Sequence, residues 1–171
     1  SGDFFALSFS SGETLWKQNI FGSLLFGASP LVVNNVVYVA SSYGRIYAFS
    51  ESGKELWRRD IENGIYTTPA FYNNRIYFGA EDYNLYALSA DKGQVLWRFK
   101  ADSRTVASSP VVSGNTLFFG CYSGYFYAID TESGKEKWRF KAGDSIFSTA
   151  LVRNGAVFFG SNDGNFYSLS E

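Results

Sequence analysis

Apolar and polar positions along this chain alternate in short runs rather than recurring at helical spacing. In "WRFK", Trp97 and Phe99 fall on one face of an extended strand and Arg98 and Lys100 on the other. Runs such as "PVV", "TLFFGC", "YFYAID" and "KEKWRFK" are three to seven residues long and are separated by turn residues. The pattern predicts four short strands, A to D, and then begins again. The A-to-B joints carry "NN", "NN", "SGN" and "RNG". Asn and Gly tolerate the positive φ that tight hairpins require, so these joints are expected to be hairpin turns. The B-to-C joints ("SSYGR", "EDYN", "YSGY", "NDGN") and C-to-D joints ("SSGE", "ESGK", "DKGQ", "ESGK") have the same character.

The restatement is periodic. Trp16, Trp57, Trp97 and Trp138 are separated by 41, 40 and 41 residues, and Gly12, Gly53, Gly93 and Gly134 each stand four places earlier. Upstream, "FFAL", "IYAF", "LYAL", "FYAI" and "FYSL" keep the same beat, and Pro30, Pro69, Pro110 and Ala150 each close a segment of small hydroxyl residues. Four antiparallel strands per 40 to 41 residues describe an all-β propeller of about four repeats. One such sheet cannot bury its two apolar faces alone, so each Trp is expected to dock against the next repeat. Residues 1–171 are read as a single propeller domain. The chain opens with a C–D pair, continues with three full repeats and closes with A–B–C, which predicts an open arc or part of a larger ring. Bare strand edges at its ends would favour association with a second copy.

Composition narrows the function more than it identifies it. Aromatics at 19%, with 17 Gly, no Met and no His, agree with strands and tight turns. A net charge of −1 supplies no basic field for nucleic acid, and no apolar run is long enough to span a membrane. The single cysteine, Cys121, excludes an internal disulfide; it occupies the place of Ser41, Ala80 and Ser161 and reads as a small residue in a tight position. The absence of an initiating Met and of a signal peptide suggests a processed product or a piece of something larger. No histidine is available as base or ligand, and no Gly-rich loop opens a helix to cradle phosphate. Glu81, Asp82, Asp130, Glu132, Asp144 and Asp163 fall in turns, where carboxylates usually cap backbone N–H groups. Catalytic, cofactor and metal residues are therefore expected to be absent.

Basic residues follow every Trp: Lys17, Arg58, Arg59, Arg98, Lys100, Arg139 and Lys141. They read as protection of an exposed edge strand more readily than as an anion-binding stripe. The D-to-A connections share one face, and the first of them, "FGSLLFGAS", is the longest. Leu24 and Leu25 have no counterpart in the other copies, and with Phe26 they form the candidate partner-binding site. Phe26 belongs to a recurring apolar position, with Ile65, Val106 and Ile146, that is expected to be core.

The segments Ala6–Trp16 ("ALSFSSGETLW"), Ala87–Trp97 ("ALSADKGQVLW") and Ala128–Trp138 ("AIDTESGKEKW") resemble the tryptophan-docking motif Ala-x-Asp-x-x-x-Gly-x-x-x-Trp of the pyrroloquinoline-quinone-like (PQQ-like) β-propellers. The copy from Ala48 to Trp57 is one residue short, and Ser8, Ser50 and Ser89 replace the motif's Asp, which only Asp130 keeps. The resemblance implies a propeller fold and two trades. Quinoprotein dehydrogenases of the family hold the quinone with calcium, an acidic base and often a vicinal disulfide; other members are non-catalytic, among them the outer-membrane assembly lipoprotein and sensor domains. Lacking the catalytic set, this chain is expected to be a non-catalytic, extracytoplasmic scaffold for a protein or peptide. A fragment of a quinone-dependent dehydrogenase and a receptor sensor domain are the alternatives.

Overall fold

A computed structural model describes residues 2–20, 28–104 and 108–170. Seventeen strands form five antiparallel sheets and there is no helix among the described residues. The first sheet pairs β1 (Gly2–Leu7) with β2 (Thr14–Ile20). Three four-stranded sheets follow. They comprise β3 (Leu31–Val33), β4 (Val36–Ser41), β5 (Arg45–Ser50) and β6 (Glu55–Asp60); β7 (Ala70–Tyr72), β8 (Arg75–Gly79), β9 (Asn84–Ser89) and β10 (Val95–Lys100); and β11 (Val111–Ser113), β12 (Thr116–Gly120), β13 (Tyr125–Asp130) and β14 (Glu136–Lys141). The last sheet holds β15 (Leu151–Arg153), β16 (Ala156–Gly160) and β17 (Phe166–Ser170). Consecutive strands are neighbours throughout, as in propeller blades. The predicted order, a C–D pair, three complete blades and an A–B–C set, is the observed one, and the arc is open: among the described residues β2 pairs only with β1 and β17 only with β16.

Turn chemistry accounts for the hairpins. Asn34 and Asn35 (φ 51° and 62°), Asn73 and Asn74 (48° and 56°), and Asn154 and Gly155 (52° and 74°) all occupy the left-handed region, where two successive positive φ values match the twist of a two-residue hairpin. The inner strands are three residues long, enough to pair with their neighbour near the axis without crowding.

The core lies between blades rather than within them. Strands β4, β5, β8, β9, β12 and β13 are buried on both faces, so their sequences read as nearly continuous apolar runs. Tyr38, Ile46 and Ala48 pack against Ile76, Phe78 and Leu88 of the next blade; Tyr77, Leu85 and Ala87 pack against Leu117, Phe119 and Ile129; and Phe126 stacks on Phe159 with centroids 4.0 Å apart. The small-hydroxyl segments link neighbouring blades. Ser29 N donates to Thr68 Oγ1 (2.9 Å), Thr68 N to Ser109 Oγ (3.0 Å), and Ser108 Oγ to the Ser148 carbonyl (2.9 Å). Ile65 and Ile146 are buried as expected; Val106 and Phe26 lie outside the described residues.

Candidate functional site

Two surfaces recur with the repeat: the seam between outer strands, and the face that carries the B-to-C and D-to-A loops. At the seam, each Trp stands directly across from the small residue that opens its motif: Ala6↔Trp16, Ala48↔Trp57, Ala87↔Trp97 and Ala128↔Trp138. An Ala there leaves room for the indole to lie across the sheet and reach the following blade. Trp16 Nε1 donates to the Glu51 carbonyl at 2.7 Å, Trp57 Nε1 to Ala90 at 2.9 Å and Trp97 Nε1 to Thr131 at 3.1 Å. The rings lie against Gly53, Gly93 and Gly134, whose φ values are 81°, 63° and 69°. A Cβ at those glycines would sit 2.5–2.7 Å from indole carbons, so both the backbone and the contact require glycine. Trp138 and Gly12 differ from the rest. Trp138 is 36% exposed and its N–H has no acceptor among the described residues, while a Cβ on Gly12 would meet nothing within 4 Å.

The basic residues after each Trp do more than shield an edge. Arg59 Nε donates to the Gly93 carbonyl of the next blade at 2.9 Å, Lys100 Nζ to the Asp82 carbonyl at 2.6 Å, and Lys141 Nζ to the Ser123 carbonyl at 2.6 Å. Arg139 bridges Asp102 at 3.2 Å, and Lys17 meets Asp3 at 2.8 Å. Arg58 faces Glu55 within its own strand. The acidic side chains largely serve turns. Asp130 Oδ1 accepts from Ser133 N (2.9 Å) and Oγ (2.8 Å), which together hold its carboxyl below the usual carboxylate range. Asp82 and Asp163 repeat one device, each accepting the N–H of the Asn two places on (3.0 and 2.9 Å) and the hydroxyl of the Tyr four places on (2.5 and 2.7 Å). Asp144 Oδ1 accepts from Ser145 N at 2.6 Å, while Glu81 and Glu132 pair with Arg104 and Arg75. Among the described residues no three Cys, Asp or Glu side chains converge as metal ligands. Cys121 is buried, with Sγ 3.1 Å from Ser123 Oγ.

The Asp82–Tyr86 pair gives a measurable consequence. Burial first, then donation of the phenol hydrogen to the Asp82 carboxylate, pushes Tyr86 up to about 12. Its folded value lies above the unfolded value of ~10, so its contribution to stability is complete below ~10 and is lost as pH rises toward about 12. In a spectrophotometric titration Tyr86→Phe is expected to remove a late-ionising phenol; removal of an early one would contradict the assignment.

On the loop-bearing face the structure shows what the sequence reading passed over. Tyr43, Tyr83 and Tyr122 sit on the three successive B-to-C turns and are exposed, and Phe147 projects from the last D-to-A loop to meet Tyr122 edge-on at 4.9 Å. Lys100 Nζ stands 4.7 Å above the Tyr83 ring. The D-to-A loops brace these turns: Glu81 N donates to the Gly64 carbonyl at 3.0 Å, Ile146 N to Cys121 at 3.1 Å and Tyr122 N to Arg104 at 3.3 Å. Exposed aromatics on a rigid frame are well suited to binding, because they bring large contact area with few rotors to immobilise. The signal in the sequence is a Tyr in each of the joints "SSYGR", "EDYN" and "YSGY", masked there by the turn propensity of its neighbours. Leu24, Leu25 and Phe26 lie outside the described residues.

A family model described as outer membrane protein assembly factor BamB matches residues 2–124 and 95–171. Among curated relatives, the outer membrane protein assembly factor BamB of Legionella pneumophila is 30% identical over 106 residues, covering 54% of this chain and 26% of the relative. The quinoprotein alcohol dehydrogenase PedH of Pseudomonas putida is 34% identical over 87 residues, covering 43% of this chain and 14% of the relative. The chain thus spans about a quarter or less of these relatives. The crystal structure of BamB from Moraxella catarrhalis superposes with a TM-score of 0.81 at 16% identity, over 93% of this chain and 50% of that one.

Proposed function

This chain belongs to the outer membrane protein assembly factor BamB family of PQQ-like repeats, and on that footing we propose that it is a non-catalytic β-propeller scaffold binding a protein or peptide across its loop-bearing face. The observation that carries the reading is the row of exposed Tyr43, Tyr83 and Tyr122 with Phe147, mounted on turns that the neighbouring loops brace. The apolar Leu24, Leu25 and Phe26 belong to a D-to-A connection of the same face by sequence and complete the proposed surface. Trp16, Trp57 and Trp97 with Gly53, Gly93 and Gly134 serve this function indirectly, by fixing each blade to the next. Residues 1–171 act in this proposal as one domain. The part that the BamB relatives play in outer membrane protein assembly supports an extracytoplasmic setting. No helix of the described residues is long and apolar enough to cross a membrane.

The test is selection of peptides from a random library on the immobilised chain. Selected peptides are expected to lose about tenfold or more in affinity on Tyr43→Ser with Tyr122→Ser, and on Leu24→Ser with Leu25→Ser, at unchanged melting temperature. Peptides that bind all three proteins equally would sink the assignment of the face.

The matches to quinoprotein dehydrogenases favour a second reading, in which the chain contributes blades to a quinone-dependent enzyme. Adding pyrroloquinoline quinone with calcium separates the two. The scaffold reading expects no saturable absorption band and no alcohol-dependent dye reduction; either signal favours the enzyme.

A further inference from the structure

The β7–β10 blade has a complete blade on either side, and its B-to-C turn departs from theirs at one residue. Gly44, Gly124 and Gly164 hold the left-handed position of their turns, with φ of 73°, 78° and 86°; in the β8–β9 turn that position is Tyr83, at φ 70°. Every other non-glycine residue with positive φ among the described residues is Asn, and a bulky side chain there is a backbone outlier. The turn itself does not require a tyrosine. Its two bracing bonds, Tyr83 N to the Ala80 carbonyl (3.3 Å) and Ala101 N to the Tyr83 carbonyl (2.9 Å), recur around Gly44 and Gly124 with no side chain present. In those two turns a Cβ would lie 2.1 Å from the Ile61 carbonyl oxygen and 2.5 Å from that of Asp144, so they are closed to a side chain that the β8–β9 turn admits. The fold makes little use of it. Tyr83 is 42% exposed, its ring stacks on no other aromatic and its hydroxyl has no partner among the described residues. Backbone strain that packing does not explain is typical of a binding position.

One charged group attends the ring. Lys100 Nζ, fixed by its 2.6 Å bond to the Asp82 carbonyl, stands 4.7 Å from the Tyr83 centroid. An ammonium carries three donors, and Lys100 forms no ion pair among the described residues. The next blade repeats the arrangement: Lys141 Nζ is held by the Ser123 carbonyl at 2.6 Å, stands 5.2 Å from the Tyr125 ring and likewise lacks an ion pair among the described residues. The carboxylates nearest these turns are already engaged, Asp82 by Asn84 and Tyr86, and Asp102 by Tyr127 and Arg139. Resting on the reading of this face as a peptide-binding surface, we propose that its partner is an acidic peptide, which stacks an apolar or aromatic side chain on Tyr83 and sets a neighbouring carboxylate on Lys100. Lys141 beside Tyr125 offers the same pairing one blade further on. Charge complementarity selects this partner: a basic peptide would meet two ammonium groups that no carboxylate neutralises. Both ammonium groups are tethered to backbone carbonyls before a partner arrives, so little rotamer freedom is lost on binding.

Fluorescence anisotropy tests it with three labelled peptides of equal length that repeat Phe-Gly with Asp, with Ser or with Lys. The Asp peptide is expected to bind about tenfold or more tightly than the Ser peptide, to weaken as salt is added, and to leave the Lys peptide the weakest. Lys100→Gln with Lys141→Gln should abolish the difference between the Asp and Ser peptides. Tyr83→Gly, which installs the residue of the other turns, should weaken the Asp and Ser peptides alike by about tenfold or more, with a melting temperature no lower than before because the backbone strain is released. Equal binding of the Asp and Ser peptides, a preference that survives loss of both lysines, undiminished binding by Tyr83→Gly, or a lowered melting temperature in that variant would each overturn the proposal. The same peptides separate it from the reading on which it rests. If the Asp and Ser peptides bind equally and Tyr43→Ser with Tyr122→Ser weakens both, the acidic partner is wrong and the face stands; if no peptide binds, or if all bind that variant undiminished, both fall.

Discussion

Trp97→Ala is expected to lower the free energy of unfolding by roughly 3 kcal/mol, near the lower end of the cost of emptying a large aromatic site. The side chain is half-buried, which holds the loss below the upper end of that range, but three contacts go together. The indole N–H leaves the Thr131 carbonyl, the ring leaves Gly134, and the tilted contact with Tyr77 at 5.8 Å is lost. The Thr131 carbonyl keeps Arg75 and Tyr77 as donors, so it is not orphaned and adds no large desolvation cost. Trp138→Ala is the internal control. Its ring contacts are with Phe118 and Phe126 of its own blade, and at dilute concentration it should cost about 1 kcal/mol, the scale of an aromatic pair. Denaturant melts of the two variants measure the difference directly. Equal losses would mean that the seam contributes nothing beyond the aromatic stack.

The second large effect is expected from a single methyl group. Gly134→Ala meets two penalties at once. An L-residue held at φ 69° costs about 1–2 kcal/mol, and the new Cβ falls 2.6 Å from Trp97 Cδ2, an overlap of the kind that costs about 1–3 kcal/mol in a packed site. The total is roughly 3 kcal/mol. Gly12→Ala shares the first penalty without the second, because its Cβ would meet nothing within 4 Å, and should cost about 1–2 kcal/mol. Thermal or denaturant melts that rank Gly134→Ala no worse than Gly12→Ala would show that the ring moves aside freely.

Much of this architecture is local information repeated. The spacing of Trp16, Trp57, Trp97 and Trp138, the Asn and Gly pairs at the hairpins and the period-two alternation of strand D all act over a few residues, and one chain segment carries the whole instruction. Strand order and the incomplete sheets at either end were legible for the same reason. The role of the basic residues was less so. Arg59 and Lys100 read as edge protection, yet Arg59 reaches the Gly93 carbonyl of the next blade, 34 positions away, and Lys100 the Asp82 carbonyl of its own blade, 18 positions away, and no sequence spacing announces either backbone acceptor.

The sequence by itself determined the repeat, its four strands and the turns between them, because backbone conformation at Asn, Gly and alternating apolar positions is decided by near neighbours. Only the tertiary structure decided which surfaces those repeats leave open. Tyr43, Tyr83 and Tyr122 lie in turns whose residue types resemble any other, and they stand exposed on turn backbones held by the adjoining loops: Ile65 bonds Ser41, Gly64 bonds Glu81 and Arg104 bonds Tyr122. Trp138 is one of four equivalent tryptophans in the sequence and differs from Trp16, Trp57 and Trp97 only because no following turn lies on its ring among the described residues. Equivalence along a chain is set by covalent order, whereas exposure is set by whatever else packs in the same volume.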